Sequence, residues 1–322
     1  MLRMYALSVL GLLFGCSVGL SEFVRVVESP EGFLFEEVGK RILFYQRAPK
    51  SSDGGATRNN YIHPLWNLEG DVLTEDAPDD HLHHRGIFWA WHQTTVGDVR
   101  CGDAWLCERF SWDVTAAHVS PLKGGAQKLD VTVLWRSPDY VDAENRQKPI
   151  IQENTAITVY PHVKDFRVLD FEIRLLALQE SVAIGGSEDV KGYGGFSLRL
   201  KTPEDLTFQS DGQTVIPQNE TVQAGGWMAF NATFNPAAGP SGIAVFVHPH
   251  NPGATGRWIL RQKASMQNAV YPGRQSVVIL KSQPTVLKYR LVIYNGDGTQ
   301  VPLGEMYRVY ICLGKSEAGA EN

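Results

Sequence analysis

The residue types best suited to chemistry in this chain are its histidines. Six of the nine fall in three short clusters. The densest is Asp80-His81-Leu82-His83-His84-Arg85-Gly86, which follows Tyr61-Ile62-His63-Pro64-Leu65, and the pair His248-Pro249-His250 comes much later. Histidine titrates near neutral pH and is the commonest metal ligand in proteins. The clusters therefore predict a catalytic or metal-binding site.

The first interpretation is a metal site. On a β-strand, residues i and i+2 point to the same side, so His81 and His83 would face one way and His84 the other. His248 and His250 repeat that geometry. Two such pairs meeting across a sheet would bind a divalent ion such as zinc, calcium or manganese. An oxygen ligand would come from Glu153, Asp76 or Asp80. The alternative is that these imidazoles bind backbone groups and carboxylates in a polar groove.

The second interpretation is acid–base catalysis without a metal. A neutral histidine acts as a base and an imidazolium as an acid, each typically worth ~10²–10⁴ in rate. Glu153 shares its strand face with Ile151, Ile157 and Val159, and an unpaired carboxyl group on an apolar face has a raised pKa. That suits acid or base work, although a structural ion pair explains Glu153 equally well. The catalytic candidates are His81, His83, His84, Arg85, Glu153 and Tyr193.

Cations and glycines indicate where a ligand would bind. Arg85 adjoins the histidines, and Lys191 precedes Gly192-Tyr193-Gly194-Gly195. Both cations are candidate stabilisers of a developing negative charge, and the glycines allow a ligand to approach the backbone closely. The glycine spacing matches neither a phosphate loop nor a dinucleotide fingerprint, so no nucleotide cofactor is expected. The predicted substrate-binding residues are Tyr61, His63, Asp76, Trp89, Lys191, Arg199, His248, His250 and Trp258.

Tryptophans beside the polar clusters indicate a saccharide ligand. Trp89 and Trp91 closely follow Arg85, and Trp258 follows the last histidine pair. An indole face covers the C–H bonds of a sugar ring while polar neighbours bind its hydroxyl groups. Because large aromatic residues more often fill a core, one or two ligand-facing tryptophans are expected.

Alternation of apolar and polar residues dominates the chain and predicts its fold. It covers 166–175 and 286–294, and it places Leu129, Val131, Val133 and Trp135 on one face. Such alternation is typical of half-buried antiparallel strands, and the best helical candidate is 303–313. We predict an all-β protein, a large antiparallel β-sandwich with few helices. It would form a single domain over 21–315, with 316–322 as a tail.

The first 20 residues resemble an export signal. Arg3 precedes an apolar run over 6–14, too short for a membrane span. Leu13-Phe14-Gly15-Cys16 resembles a bacterial lipobox, in which Cys16 would carry a lipid tether to the membrane. Ordinary secretory cleavage slightly downstream and a buried N-terminal helix are the alternatives. The expected location is the periplasm or cell envelope.

Export and net charge limit the chemistry further. An oxidising compartment permits a Cys101–Cys107 disulfide, and two free thiols are the alternative. The formal net charge of -5 provides no basic stripe, so nucleic acid is not an expected partner.

Several segments together resemble the family catalogued as PmoA-like. The resemblance is most specific over 61–86, which includes Gly-Asp-Val-Leu-Thr-Glu-Asp at 70–76. The other segments are 191–199, 248–252 with Trp258, and Tyr289-Arg290-Leu291. The family name refers to a methane monooxygenase subunit, a role that needs several membrane spans and does not fit this sequence.

The resemblance implies an exported saccharide-binding protein of the galactose-mutarotase-like β-supersandwich class. Members of that class use histidine and glutamate as acid and base. By position, His81, His83 and His84 resemble the histidine-bearing strand, and Glu153 or Asp170 the carboxylate.

The leading hypothesis is an enzyme that cleaves a glycosidic bond, by β-elimination or hydrolysis, in a concave groove. Hydrolysis would need two carboxylates at a set separation, and no obvious pair is present. The alternatives are a mutarotase or epimerase acting on a free sugar and a non-catalytic carbohydrate-binding lipoprotein.

Overall fold

The computed structural model describes residues 23–51, 56–254 and 256–318. The predicted signal segment, with Cys16, lies outside these described residues. Nearly all regular structure within them is antiparallel strand, which confirms the predicted all-β class. The strands are β1 (Val24–Glu28), β2 (Gly32–Glu37), β3 (Lys40–Gln46), β4 (Tyr61–Leu65), β5 (Ile87–Ala90), β6 (Gln93–Val96), β7 (Val99–Arg100), β8 (Ser111–Pro121), β9 (Gln127–Arg136), β10 (Ile151–Val159), β11 (Phe166–Ala177), β12 (Val182–Gly185), β13 (Gly195–Leu198), β14 (Thr207–Ser210), β15 (Gln213–Thr214), β16 (Val222–Gln223), β17 (Trp227–Asn235), β18 (Gly239–Val247), β19 (Arg257–Ile259), β20 (Gln267–Ala269), β21 (Val277–Ile279) and β22 (Thr285–Asn295).

Two nine-stranded sheets form the sandwich. Sheet one has the order β1-β2-β3-β4-β5-β13-β20-β19-β16, and sheet two has the order β15-β14-β17-β18-β22-β11-β10-β9-β8. Phe196 of sheet one lies 5.2 Å from Phe171 and 4.4 Å from Tyr289 of sheet two, measured between ring centroids. The two inner faces therefore meet in a shared aromatic core. A smaller sheet three has the order β21-β12-β6-β7.

Period-two alternation explains why the central strands of sheet two form. On β9, Leu129, Val131, Val133 and Trp135 are buried, and the residues between them are partly exposed. The same pattern continues on β10, where Glu153 occupies an inward position between Val133 of β9 and Leu175 of β11. Burying each large apolar side chain contributes about 1.5–3 kcal/mol, so the strand register is fixed by this inner face.

The C-terminal helix α1 (Leu303–Ala318) packs on the outer face of sheet two. Tyr307 and Tyr310 contact Phe246 of β18 at centroid distances of 5.5 and 6.1 Å. The helix predicted over 303–313 is confirmed, and the predicted tail from 316 begins inside it. Within the described ranges, no helix combines the length and apolar character needed to cross a bilayer.

Three connections bring chemically interesting side chains together. They link β4 to β5 (66–86), β7 to β8 (101–110) and β12 to β13 (186–194). Trp105, from the second connection, has its ring centroid 6.0 Å from His84 and 5.0 Å from Tyr193, which belong to the other two. The candidate site forms where these connections meet.

Candidate active site

The segment containing His81, His83 and His84 is a turn, so the predicted strand geometry is wrong here. The N–H of His81 donates to Pro78 O, and the N–H of His84 donates to His81 O, both at 2.9 Å. These local bonds curl the chain and bring all three rings to one place. The His84 ring lies 4.5 Å from both the His81 and His83 rings, stacked on the first and edge-on to the second.

Arg199, just beyond β13, holds this turn in place through hydrogen bonds. Its guanidinium donates to both carboxylate oxygens of Asp80 at 2.8 and 2.9 Å and to Glu75 at 2.7 Å. The Arg199 side chain is only 3% exposed. Charge-assisted bonds are strong, and two separate nitrogens of one guanidinium, Nη2 and Nε, hold Asp80 and Glu75, so Arg199 positions the turn. Sequence reasoning placed Arg199 in substrate binding, whereas the structure commits its donors to protein carboxylates.

Burial keeps two of these imidazoles neutral. It lowers the pKa of His83 to about 4, and the nearby charges of His81 and Arg58 act in the same direction. Burial also holds the pKa of His84 far below its usual range. At neutral pH the half-buried His83 ring therefore carries a free lone pair that can accept a proton.

A second histidine pair, His92 with Asp103, completes the site. His92 Nδ1 lies 2.8 Å from Asp103 Oδ2, and because a carboxylate only accepts, Nδ1 carries the proton. The other ring nitrogen, Nε2, is buried and has no hydrogen-bond partner among the described residues. The His92 ring stacks on Trp105 at 5.4 Å and meets the Tyr193 ring edge-on at 5.0 Å.

We refer to His81, His83, His84, His92, Asp103, Trp105 and Tyr193 as the histidine cluster. Asp103 also lines a surface pocket of about 320 Å³ whose other charged lining residues are Arg100, Glu108, Arg109 and Asp139. A pocket of that size is within the ~300–1,000 Å³ typical of small-molecule sites. Of the histidine cluster, Asp103 lines this pocket, so the cluster adjoins the pocket through that carboxylate.

Sequence reasoning missed His92, Asp103 and Trp105 as site residues. His92 and Asp103 are eleven residues apart, in separate connections, and neither belongs to a histidine cluster in the sequence. The only available signal was the crowding of tryptophans around them. Their pairing depends on how two loops fold back on each other, which local patterns do not encode.

Arg58 holds the Trp105 loop in place. Its guanidinium donates to Ala104 O at 2.7 Å and Trp105 O at 3.0 Å, and its Nε lies 3.2 Å from the sulfur of Cys107. Cys101 and Cys107 are free thiols, so the structure has the free-thiol alternative and not the expected disulfide. The hydrogen bonds of the buried Arg58 order this loop without a disulfide.

The comparison with known families follows from this architecture. A family model matches residues 35–307, most of the chain. The chain belongs to DUF6807, a family of unknown function. No curated protein matches it. Among solved structures, it is similar to YeaD from Salmonella typhimurium, described as a candidate mutarotase, with 13% identity over 84% of this chain and 90% of that chain. The TM-score is 0.35, and this similarity assigns neither fold nor function.

In this DUF6807 protein, a second polar group lies next to the histidine turn. Asp76 accepts hydrogen bonds from Lys50 at 2.6 Å, Arg85 at 3.2 Å and Tyr61 at 3.3 Å. Although burial opposes it, the Lys50 bond and the Arg85 charge hold the pKa of Asp76 below its usual range. His63 bonds to Thr74 at 2.9 Å. The predicted residues Tyr61, His63, Asp76 and Arg85 are thus gathered together, and the Arg85 side chain is fully buried in an ion pair.

Glu153 lies apart from the histidines, in the core between the two large sheets. Its carboxylate accepts hydrogen bonds from Asn60 at 2.9 Å, Trp89 at 2.8 Å, Trp135 at 2.9 Å and Thr155 at 2.7 Å. The residue is 0% exposed, and burial raises its pKa. The raised pKa predicted from the sequence is present. However, this carboxyl group and the Trp89 indole face each other inside the sandwich, where no ligand reaches them.

The remaining predicted residues do not join the cluster. His248 and His250 follow β18 in a turn, with rings 4.8 Å apart, and His248 packs against Tyr310 of α1. The metal interpretation, which needed His81 and His83 to meet this pair, is therefore corrected. In the part of the chain that the structure describes, no group of three or more His, Cys, Asp or Glu side chains could hold a metal ion. Trp258 is buried, and Lys191 pairs with Asp189 at 3.4 Å.

Proposed function

We propose that this protein is a carbohydrate-active enzyme that opens and closes the ring of a free sugar by acid–base catalysis at the anomeric carbon. The proposal depends mainly on one observation. A neutral His83 lies in the same cluster as His92, whose Nδ1 is bonded to Asp103 and whose Nε2 is unpartnered. Two histidines in different electrostatic environments are what a paired acid and base require.

The chemistry follows from these environments. His83 accepts the proton of the anomeric hydroxyl group while His92, protonated on both ring nitrogens, donates its Nε2 proton to the ring oxygen. The bond between C1 and the ring oxygen breaks, and a C1 carbonyl forms. After rotation about the C1–C2 bond the ring closes, with His92 taking its proton back and His83 returning its own to the carbonyl oxygen. Asp103 stabilises the positive charge that His92 carries while it holds the extra proton.

Glycosidic-bond cleavage, the leading hypothesis from the sequence, has less support from this site. Hydrolysis uses two carboxylates, whereas Asp103 in the histidine cluster is bonded to His92 and Asp80 beside it is bonded to Arg199. Elimination needs a free cation beside the developing enolate. The predicted cations Arg85 and Lys191 are paired with carboxylates. Ring opening forms no carbanion, so it needs neither Arg85 nor Lys191 as a free cation.

The cellular context stays part of the proposal. Export to the periplasm or envelope, with Cys16 as a lipid anchor, would expose the enzyme to sugars released outside the cytoplasm. The polar pocket beside Asp103 would bind the sugar hydroxyl groups. The resemblance to the PmoA-like family, which implies a saccharide ligand, agrees with this substrate class.

The test is to measure anomer interconversion by NMR exchange or polarimetry with free hexoses and pentoses. We expect the protein to accelerate it, and His83→Ala to lower the rate by ~10²–10⁴-fold while ligand binding, measured by calorimetry, persists. His118→Ala, an exposed histidine on β8, is the matched control. Binding without acceleration would support a carbohydrate-binding module and refute the enzyme. Activity only on glycosides would restore the cleavage hypothesis.

A further inference from the structure

A second polar pocket, unrelated to the histidine cluster, has a volume of about 360 Å³. It lies between the β2–β3 turn, the β10–β11 connection and the end of β22. Its lining includes Glu37, Val38, Lys40, Lys164, Arg167 and Asn295. None of these residues belongs to the candidate active site, so the inference does not depend on the proposed function.

The carboxylate of Glu37 is bonded on one side only. Its Oε2 accepts from Arg167 Nη2 at 2.6 Å, His162 Nδ1 at 2.8 Å and the His162 backbone N–H at 3.3 Å. Its Oε1 is buried and has no partner among the described residues, although the residue as a whole is only 2% exposed. A buried carboxylate oxygen without a donor is energetically costly, so this position favours a ligand that supplies one.

A second acceptor lines the same pocket. Asn295 Nδ2 donates to Glu69 Oε1 at 3.0 Å, which identifies the other amide atom, Oδ1, as the acceptor. Oδ1 is also buried and unpartnered in the described structure. Two unused acceptors around one pocket call for a ligand with at least two hydrogen-bond donors.

The charges of the lining favour a neutral ligand over an ion. Three carboxylates (Glu37, Glu69, Asp165) are balanced by three cations (Lys40, Lys164, Arg167). A charged ligand would therefore meet both attraction and repulsion. The carboxylates accept and the ammonium groups donate, which together match hydroxyl groups, since each hydroxyl does both.

The pocket rim adds an apolar contact. Val38 is 62% exposed and has φ 49°, a conformation that β-branched residues rarely adopt. Gly39, with φ 75°, completes the tight two-residue turn between β2 and β3, and this turn holds the apolar Val38 side chain in the lining of the pocket. The C–H surface of a sugar ring would pack against it. We propose that this pocket is a second binding site, for a neutral polyhydroxylated molecule of monosaccharide size.

The experiment is calorimetric titration of the whole protein with D-galactose, D-glucose, D-xylose and myo-inositol. At least one probe should bind, and Asn295→Ala should weaken its binding about tenfold, the effect of one lost hydrogen bond. Asn219→Ala, an exposed asparagine elsewhere, is the control and should bind normally. Glu37→Gln should weaken binding at least as much, and thermal unfolding checks that each variant is folded.

His83→Ala separates this site from the proposed active site. If both exist, His83→Ala lowers the anomer-exchange rate and leaves binding at the second pocket unchanged, whereas Asn295→Ala weakens that binding and leaves the exchange rate unchanged. If the proposed function fails, Asn295→Ala still weakens the binding that remains. The inference is overturned if no probe binds, because solvent alone then fills the pocket, or if a probe binds folded Asn295→Ala and Glu37→Gln as tightly as the wild type.

Discussion

The substitution Asp103→Asn tests the proposed acid–base pair most directly. Asparagine keeps the size of the side chain and retains an oxygen for the Leu106 N–H, which now donates to Asp103 Oδ1 at 2.9 Å. The loop geometry should therefore survive. What disappears is the negative charge 2.8 Å from His92 Nδ1.

The size of the effect follows from that geometry. The His92 and Asp103 side chains are only 12% and 14% exposed, so their interaction is partly shielded from water. Unit charges about 4 Å apart at an effective dielectric constant of about 20 interact by about 4 kcal/mol. Residual solvent screening reduces this to about 2–4 kcal/mol, which corresponds to a rate loss of about 30- to 1,000-fold.

The assay is the anomer-exchange rate on whichever free sugar the wild type accelerates. We expect kcat to fall by that factor with little change in KM, because Asp103 stabilises the doubly protonated His92 that donates the proton to the ring oxygen. Asp98→Asn, an exposed acid in the β6–β7 turn, is the control. A folded Asp103→Asn protein with wild-type activity would refute the assignment of His92 as the acid.

Three further predictions concern stability and positioning. Burial lowers the pKa of both His63 and His83 to about 4, so the folded state resists protonation that the unfolded chain accepts. The stabilising contribution of each neutral histidine is complete above pH ~6.5 and is lost as the pH falls through about 4; it amounts to up to about 3 kcal/mol each. The variant His63→Gln should therefore flatten the Tm-versus-pH curve between these two pH values. Glu153→Ala leaves four donors unpaired and should lower the free energy of unfolding, measured by urea titration, by about 3–5 kcal/mol. Lost activity at unchanged stability would instead support a catalytic role for Glu153. Arg199→Lys replaces the two nitrogens that hold Asp80 and Glu75 with one ammonium group, and should lower kcat at least ~10-fold with the protein still folded. An unchanged kcat would show that the turn does not need Arg199.

The fold was predictable because its signal is local. The alternation around Leu129, Val131 and Val133 follows from each strand having one face in the core and one toward solvent. The same reasoning gave the correct inward direction for Glu153. It failed at His81 and His83, because backbone hydrogen bonds curl that segment into a turn that side-chain alternation cannot reveal.

The candidate site was only half predictable for a related reason. Clustered histidines are visible in a sequence, and four of the predicted residues lie at the site: His81, His83, His84 and Tyr193. The His92–Asp103 pair could not be predicted from the sequence, because each partner is an isolated polar residue in a different connection. Its existence depends on Arg58 folding the Trp105 loop against the end of β5, a contact between segments far apart in the chain.

Glu153 and His92 show what distinguishes a structural buried polar group from a reactive one. Both are titratable side chains placed among tryptophans, and sequence reasoning about apolar surroundings applies to each. Four donors from three strands and one loop bond to the Glu153 carboxylate, so its hydrogen bonds stabilise the core. In His92, Nδ1 is hydrogen-bonded to Asp103, and Nε2 has no hydrogen-bond partner among the described residues. Unused bonding capacity held in place by a fully bonded partner is what a proton-transfer group needs, and only the folded chain shows which residue has it.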